Sequence, residues 1–280
     1  MNNPDTSSCI PATVAVLTYN SEETLVRCLD TVKGFCEILI ADGGSTDGTL
    51  AIAERYGCRV IPQSNPGHPI EDFSLERNRT LEAASYDWFF YLDSDELMSP
   101  ELKEEIREIA SRPTIEHYIY AVPYYIKSHD LSIRYQQWKD YPQYRFFNRK
   151  SGARFVKKMH EKIRFDVAQY PPKKLKGPWY GTLPKEALVF SNYKKKVDYR
   201  LGTIAQKIHF KSAQQFFREA LFLPLLNIAK QVFKIVYLRI RYRREEVIPL
   251  RYELFRTYSH LLLIKKLWGR MFRILLRRDK

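Results

Sequence analysis

Over its first 110 residues this chain alternates short apolar runs with amphipathic segments, and no other feature narrows the fold as far. Residues 13–19 (TVAVLTY), 37–42 (EILIAD), 58–62 (CRVIP) and 87–93 (DWFFYLD) are short and rich in β-branched and aromatic residues, so they read as strands. Segments 21–34, 48–57, 71–85 and 99–110 read as helices. In the first, Leu25, Cys28, Leu29 and Val32 recur at helical spacing behind an imperfect capping box at Ser21. Ser99 and Pro100 suit the N-cap and first turn of the last. This alternation predicts an α/β unit, a parallel sheet with helices on both faces. Such sheets bind ligands beyond the carboxyl ends of their strands. Three polar loops begin there, Thr18-Tyr19-Asn20, Asp42-Gly43-Gly44-Ser45 and Asp93-Ser94-Asp95, and are expected to line one crevice.

The third loop raises a physical question. An oily strand, Phe89 to Leu92, runs straight into Asp93, Asp95 and Glu96. Carboxylates this close repel one another and resist burial. Asp93 and Asp95, one residue apart on a tight turn, can face a single point, where Mg²⁺ or Mn²⁺ would neutralise them. A solvated helix-capping turn is the plainer alternative. Gly43, Gly44 and Gly48 let backbone approach a ligand closely. Arg77 and Arg79 sit on the helix just before the acidic strand, either as solvent-facing charges or as partners for carboxylates and phosphates.

Beyond residue 115 the pattern changes. Segments 117–127, 141–148 and 159–165 suggest a mixed-sheet extension, and the proline-rich stretch 170–185 reads as an irregular excursion or linker. From about 196 the chain reads as helical. Residues 191–280 hold 22 Lys and Arg against 6 Asp and Glu, whereas residues 1–190 hold 24 against 26. The net charge of +14 thus belongs to the last third. Two regions follow, an α/β domain at 1–190 and a basic helical tail at 191–280. No window of 18 residues is both apolar and uncharged, so no transmembrane span is expected. Basic heads beside Leu, Phe and Trp suit helices lying on an anionic membrane surface. The alternative is a helical subdomain packed through its apolar face. The tail's aliphatic richness argues against nucleic acid. The N-terminus shows no secretory signal, and Cys9, Cys28, Cys36 and Cys58 lack metal-type spacing. A cytoplasmic chain with free thiols, peripheral on the inner membrane face, is the expectation.

The stretches AVLTYNSEETLVRCLDTV, ILIADGGSTDGTLAIAERYG and ERNRTLEAASYDWFFYLDSDE together resemble family 2 glycosyltransferases of the GT-A fold. The likeness is strong over about 12–110 and extends to about 165. YRFFNRKSGARFVKKMHEKI resembles the branch that builds lipopolysaccharide core. The resemblance implies that Thr18, Tyr19 and Asn20 border the base and ribose of a nucleotide-sugar donor and that Asp42 holds one of them. It places Arg77 beside the diphosphate, Asp93 near ribose and metal, and Asp95 on the cation. It makes Glu161 the general base, with His160 near metal or acceptor. Many members carry a second acid where Gly43 stands here.

The chemistry suits these groups. Displacing a nucleoside diphosphate builds charge on the leaving phosphate, and an acceptor hydroxyl is a poor nucleophile until a base removes its proton. Asp140 and Glu96 rival Glu161 for that role. Tyr118, Tyr120, Tyr124, Tyr125 and Trp138 are core residues or sugar-stacking platforms, with Trp138 near the proposed acceptor side. The expected activity is inverting transfer to a lipid-linked glycan or lipopolysaccharide-core acceptor. A non-catalytic nucleotide-sugar binder and a sugar nucleotidyltransferase are the alternatives.

Overall fold

The computed structural model describes residues 9–68, 70–137, 142–158, 161–208, 210 and 212–278. They form two compact units, Met1–Tyr125 with Asp140–Thr182, and Ile126–Lys139 with Leu183–Lys280.

The first unit opens with the expected alternation: β1 (Ile10–Thr18), α1 (Glu22–Val32), β2 (Phe35–Asp42), α2 (Thr49–Arg55), β3 (Arg59–Pro62), α3 (Phe73–Ala83) and β4 (Trp88–Asp93). There follow β5 (Leu97–Met98), α4 (Pro100–Ala110), β6 (Ile119–Val122), β7 (Tyr124–Lys127), β8 (Gln143–Asn148), β9 (Arg154–Val156), β10 (Lys162–Arg164), β11 (Lys173–Lys174) and β12 (Trp179–Thr182). Seven strands make one sheet in the order β11-β6-β8-β4-β1-β2-β3. β1 pairs parallel with β2 and β4, and β2 with β3, whereas β8 runs antiparallel to β4 and β6. This is the α/β GT-A-type sheet with its mixed-strand extension. Two-residue alternation sends β1 and β4 into two cores. Val14, Val16, Phe90 and Leu92 pack with Leu25 and Leu29 of α1 and Leu102 and Ile106 of α4. Ala15, Phe89 and Tyr91 pack on the other face with Leu81 of α3 and Phe147 and Phe155. Each such large apolar side chain, fully buried, contributes about 1.5–3 kcal/mol. Register then sets the site, because Thr18 lies opposite Asp42 and Leu17 opposite Asp93, so three strand ends finish level.

Ser99 caps α4, accepting from the Leu102 N–H, with Pro100 in the first turn. Three expectations need correction. Ser21 makes no side-chain cap on α1, because its hydroxyl meets Ser94 Oγ at 2.8 Å instead. Cys9 and Cys36 form a disulfide, since Ile10 lies opposite Phe35 and brings the two together; Cys28 and Cys58 are free. The stretch 170–185 is no linker, for β12 pairs antiparallel with β5 and buries Trp179.

The second unit carries α5 (Phe190–Lys207), α6 (Ala213–Phe217), a π-helical turn (Arg218–Phe222), α7 (Leu223–Arg241) and α8 (Leu250–Arg278). A buried polar clamp joins α7 to α8: Gln231 Nε2 donates to the Glu253 carbonyl at 2.7 Å, and Lys234 Nζ meets Glu253 Oε1 at 2.7 Å. The stretch Ala213–Arg241 corrects another expectation. It is long and apolar enough to cross a membrane by length and composition, with at most two charges in an 18-residue window.

Candidate active site

The three strand-end loops are stitched to one another. Thr18 Oγ1 donates to Asp42 Oδ1 at 2.8 Å, and Gly43 N–H to the Thr18 carbonyl at 2.9 Å. Asn20, at φ 46°, accepts from Thr46 N–H at 2.9 Å and donates its own N–H to Ser45 Oγ at 2.8 Å. The Ser21–Ser94 contact ties the first loop to the acid turn. Gln63, buried after β3, donates to both the Thr18 and Ala41 carbonyls.

Two of the expected donor contacts change meaning here. Asp42 is buried, and its two oxygens accept from Thr18 Oγ1, Gly44 N–H, Ser45 N–H and Ser45 Oγ at 2.6–2.8 Å. A carboxylate offers about four acceptor positions, so Asp42 is fully used in shaping its loop and has none left for a base or ribose. Thr18 is likewise buried with its hydroxyl spent on Asp42. Tyr19, about half exposed, is the residue of this loop whose ring faces outward. A side chain at Gly43 would meet Gln63 Oε1 at 3.0 Å and Tyr19 Cδ2 at 3.1 Å, so the second acid common at this position has little room.

The acid turn answers the question its sequence posed. Arg77, only 1% exposed, donates through Nη1 to the Leu92 carbonyl at 2.9 Å and through Nη2 to Asp93 Oδ1. Its Nε lies 3.7 Å from Glu161 Oε1. Arg145 of β8, also buried, grips Glu96 with both ends of its fork, at 2.8 and 3.2 Å, and reaches the Tyr91 carbonyl at 3.1 Å. Both guanidiniums lie over the Tyr91 ring, at 4.8 and 4.3 Å, and that of Arg145 lies 3.7 Å from the Trp179 ring centroid. Glu96 in turn accepts the Asp93 N–H at 2.9 Å. Burial pushes the Glu96 carboxyl up, against the pull of Arg145, which stays charged. Glu96 is therefore a structural partner and no rival base. Two guanidiniums thus stand against two of the turn's three acids, Arg77 on Asp93 and Arg145 on Glu96.

Asp95 is treated differently. Its backbone carbonyl accepts from Thr182 Oγ1, but no side chain among the described residues hydrogen-bonds or ion-pairs with its carboxylate. The group is open to solvent yet ringed by protein. Loss of hydration and then the Asp93 charge raise its pKa above the ordinary aspartate value.

A sequence profile described as Glycosyl transferase family 2 matches residues 13–168, more than half of the chain. The chain belongs to glycosyl transferase family 2. Among curated relatives of this family 2 glycosyltransferase, the lipopolysaccharide core biosynthesis glycosyltransferase LpsC of Rhizobium meliloti is 30% identical over 100 residues, 36% of this chain and 37% of LpsC. The SPbeta prophage-derived glycosyltransferase SunS of Bacillus subtilis is 33% identical over 105 residues, 35% of this chain and 23% of SunS. These matches thus span well under half of each relative's length. Among solved structures, S. aureus TarS 1–349 aligns with 96% of this chain and 92% of its own, at 17% identity and a TM-score of 0.45. Glucosyl-3-phosphoglycerate synthase from Mycobacterium tuberculosis, solved with Mn²⁺ and UDP, aligns with 42% and 43%, at 25% identity and a TM-score of 0.30.

Among the described residues, no three His, Cys, Asp or Glu side chains cluster closely enough to cage a metal by themselves. Mg²⁺ and Mn²⁺ commonly bind through one or two carboxylates together with substrate phosphates and water. Asp95, with raised pKa and no side-chain hydrogen bond or ion pair among the described residues, is a fitting oxygen ligand. Glu161 is brought next to Arg77, although the two are far apart in sequence. Trp138, Asp140 and His160 lie outside the described residues. Tyr120 is buried against Trp88 and Phe146, and Tyr124 packs on Trp179, so these two serve the core. Sequence reasoning missed Arg145, although a signal was present: an arginine inside the apolar run Tyr144 to Phe147 demands a buried acid.

Proposed function

We propose that this family 2 enzyme is an inverting glycosyltransferase that moves a sugar from a nucleotide-sugar donor to a lipid-linked glycan or lipopolysaccharide-core acceptor at the cytoplasmic face of a membrane. The observation that carries the reading is the withheld carboxylate of Asp95, in a turn whose other two acids are neutralised by Arg77 and Arg145. Asp95, with Asp93 beside it, would hold Mg²⁺ or Mn²⁺ against the donor diphosphate. A bound divalent cation supplies Lewis-acid stabilisation of the charge that builds on the leaving diphosphate. Glu161 accepts the proton of the acceptor hydroxyl, worth about 10²–10⁴-fold. Arg77 is a positioning residue, since one guanidinium fixes Asp93 and lies beside Glu161. Tyr19 offers an exposed ring to the nucleotide base. Similarity to LpsC supports the core-glycan acceptor. The test is donor turnover across a nucleotide-sugar panel with Mn²⁺, comparing wild type with Asp95→Asn and Glu161→Gln. Donor binding with turnover indifferent to both substitutions would mark a binding protein instead.

Membrane association rests on the tail. Its charge excess is joined by an outward stripe on α7, where Phe233, Val236 and Ile240 are 50–83% exposed, continued by Phe222 of the π-helical turn before it. Apolar side chains flanked by Lys and Arg bind anionic surfaces by insertion and attraction together. Full-length protein is expected to co-sediment with phosphatidylglycerol vesicles and not with phosphatidylcholine ones, and Phe233→Glu with Ile240→Glu should release it. Equal binding to both vesicle types would remove the electrostatic part of the reading.

A further inference from the structure

The last turn of α7 and the first turn of α8 border a cavity of about 740 Å³ that lies wholly within the second unit. Arg239 of α7, Arg244 of a 3₁₀ turn (Arg244–Glu246) and Arg251 of α8 line it, against one lining carboxylate, Glu245. Ile133, Tyr135 and Val247 supply apolar wall. That wall is fixed. Val247 and Ile248 are buried, and Tyr135 packs with Ile248 and Leu183 in a small core. The 3₁₀ turn is held from two sides: Arg243 N–H donates to Glu246 Oε2 at 3.0 Å, and Gln136 N–H donates to the Glu246 carbonyl at 2.7 Å. Arg239, half-buried, is held by its Nη2, which donates to the Ile248 carbonyl at 3.2 Å.

Among the described residues, none of these three arginines ion-pairs with a carboxylate. Glu253 of α8 is taken by Lys234, Arg256 and Gln231, and Glu246 caps its own turn. Guanidiniums of three separate elements thus converge on one concave space. Ligand cavities commonly span about 300–1,000 Å³ and combine an apolar lining with a few polar groups. Guanidinium forks match the oxygens of a phosphate. The apolar wall beside them calls for an amphiphile and not a bare ion. Apolar surface also continues outside: Leu250 lines the cavity and is exposed, Leu254 is exposed one turn further along α8, and Ile240, the residue after Arg239, is exposed at the end of the α7 stripe.

We propose that this cavity binds the anionic phosphate headgroup of a membrane lipid, gripped by Arg239, Arg244 and Arg251, while the lipid's tail leaves past Leu250 and Ile240. The proposal rests on the membrane reading, which brings lipid to the tail. It adds a single site with a headgroup preference. A basic, apolar-flanked stripe responds to the charge density of a surface, whereas a basic pocket singles out one headgroup.

The experiment is calorimetric titration of the full chain with dihexanoylphosphatidic acid, short enough to stay monomeric, so that the site is read without a surface. Wild type is expected to bind it at least about tenfold more tightly than inorganic phosphate, which lacks a tail, and than dihexanoylphosphatidylcholine, whose choline offsets the charge. Arg244→Gln with Arg251→Gln should weaken it at least about tenfold. So should Leu250→Glu, which adds a carboxylate to the lining and leaves the arginines in place. Lys194→Gln with Lys195→Gln, at two exposed positions of α5, removes the same charge elsewhere and should weaken binding about twofold or less. Equal affinity for phosphatidic acid and inorganic phosphate would mark a bare anion site. Equal affinity for the two lipids would mark an apolar groove, and equal losses in the arginine and lysine variants would mark general attraction. Each of these overturns the proposal. The membrane reading fails separately, by wild type ignoring phosphatidylglycerol vesicles.

Discussion

At the strand starts of the seven-stranded sheet, Glu37 accepts from Thr13 Oγ1 at 2.5 Å, from Ser85 N–H and Oγ at 2.7 Å each, and from Arg59 Nε at 2.9 Å. At the strand ends of the same sheet, Asp95 receives only its own backbone N–H and no side-chain donor among the described residues. Burial pushes both carboxyls up. At Glu37 the hydrogen bonds and Arg59 outweigh it, and the pKa falls below the ordinary value; at Asp95 the nearby Asp93 adds to it. One acid is satisfied and holds strands and loops together. The other is left costly in the free protein, a condition that a cation and a diphosphate would relieve. Perturbation of this unsatisfied kind marks a functional site, while the satisfied kind marks architecture.

Substitutions at the two ends should therefore fail in different ways. The largest expected loss is in turnover with Glu161→Gln, by about 10²–10⁴-fold in kcat, with donor affinity and melting temperature held. Asp95→Asn should lower kcat by about 10²–10³-fold, the usual worth of one group that stabilises developing charge. Its melting temperature should hold or rise. A carboxyl whose folded pKa is raised stabilises the fold below its unfolded pKa and ceases to do so as pH rises through the folded value, so at neutral pH the ionised group costs stability that Asn does not. Arg77→Met should damage both properties, because it strips Asp93 and Glu161 of one guanidinium and leaves the Leu92 carbonyl without its donor; losing these hydrogen bonds should cost about 1–3 kcal/mol, read by urea unfolding. Glu37→Gln should cost about 1–3 kcal/mol and leave kcat/KM unchanged. Its pH signature runs opposite to that of Asp95. The lowered pKa of Glu37 contributes stability above the ordinary glutamate range, lost as pH falls through the folded value, so the variant's stability should fall less steeply in acid. A Glu37 variant that lost turnover, or an Asp95 variant that lost only stability, would break the contrast.

Much of the first unit was legible because its signals are local. β1 to β4 and their helices follow from periodicity, and the Ser99–Pro100 cap from two adjacent residues. What stayed hidden depends on register or on competition for one group. The Cys9–Cys36 bond needs Ile10 opposite Phe35, and the short β12 reads as loop until β5 is there to pair with it. Ser21 looks like a cap, but Ser94 takes its hydroxyl. Asp42 looks like a ligand, but four donors of its own loops occupy it. The Arg145–Glu96 pair spans 49 positions, so the compensation of the acid turn could be demanded from sequence and not located. On α7, the sparse charges allow a length and hydropathy that a strict search for uncharged windows passes over.

The central claim is that Asp95 is the carboxylate set aside for a cation arriving with a diphosphate. Calorimetric titration of the full chain with manganese pyrophosphate, a probe indifferent to base and sugar, tests it most directly. Wild type and Glu37→Gln should bind alike, and Asp95→Asn at least about tenfold more weakly, a difference of about 1.4 kcal/mol. Wild-type affinity in Asp95→Asn would contradict the account.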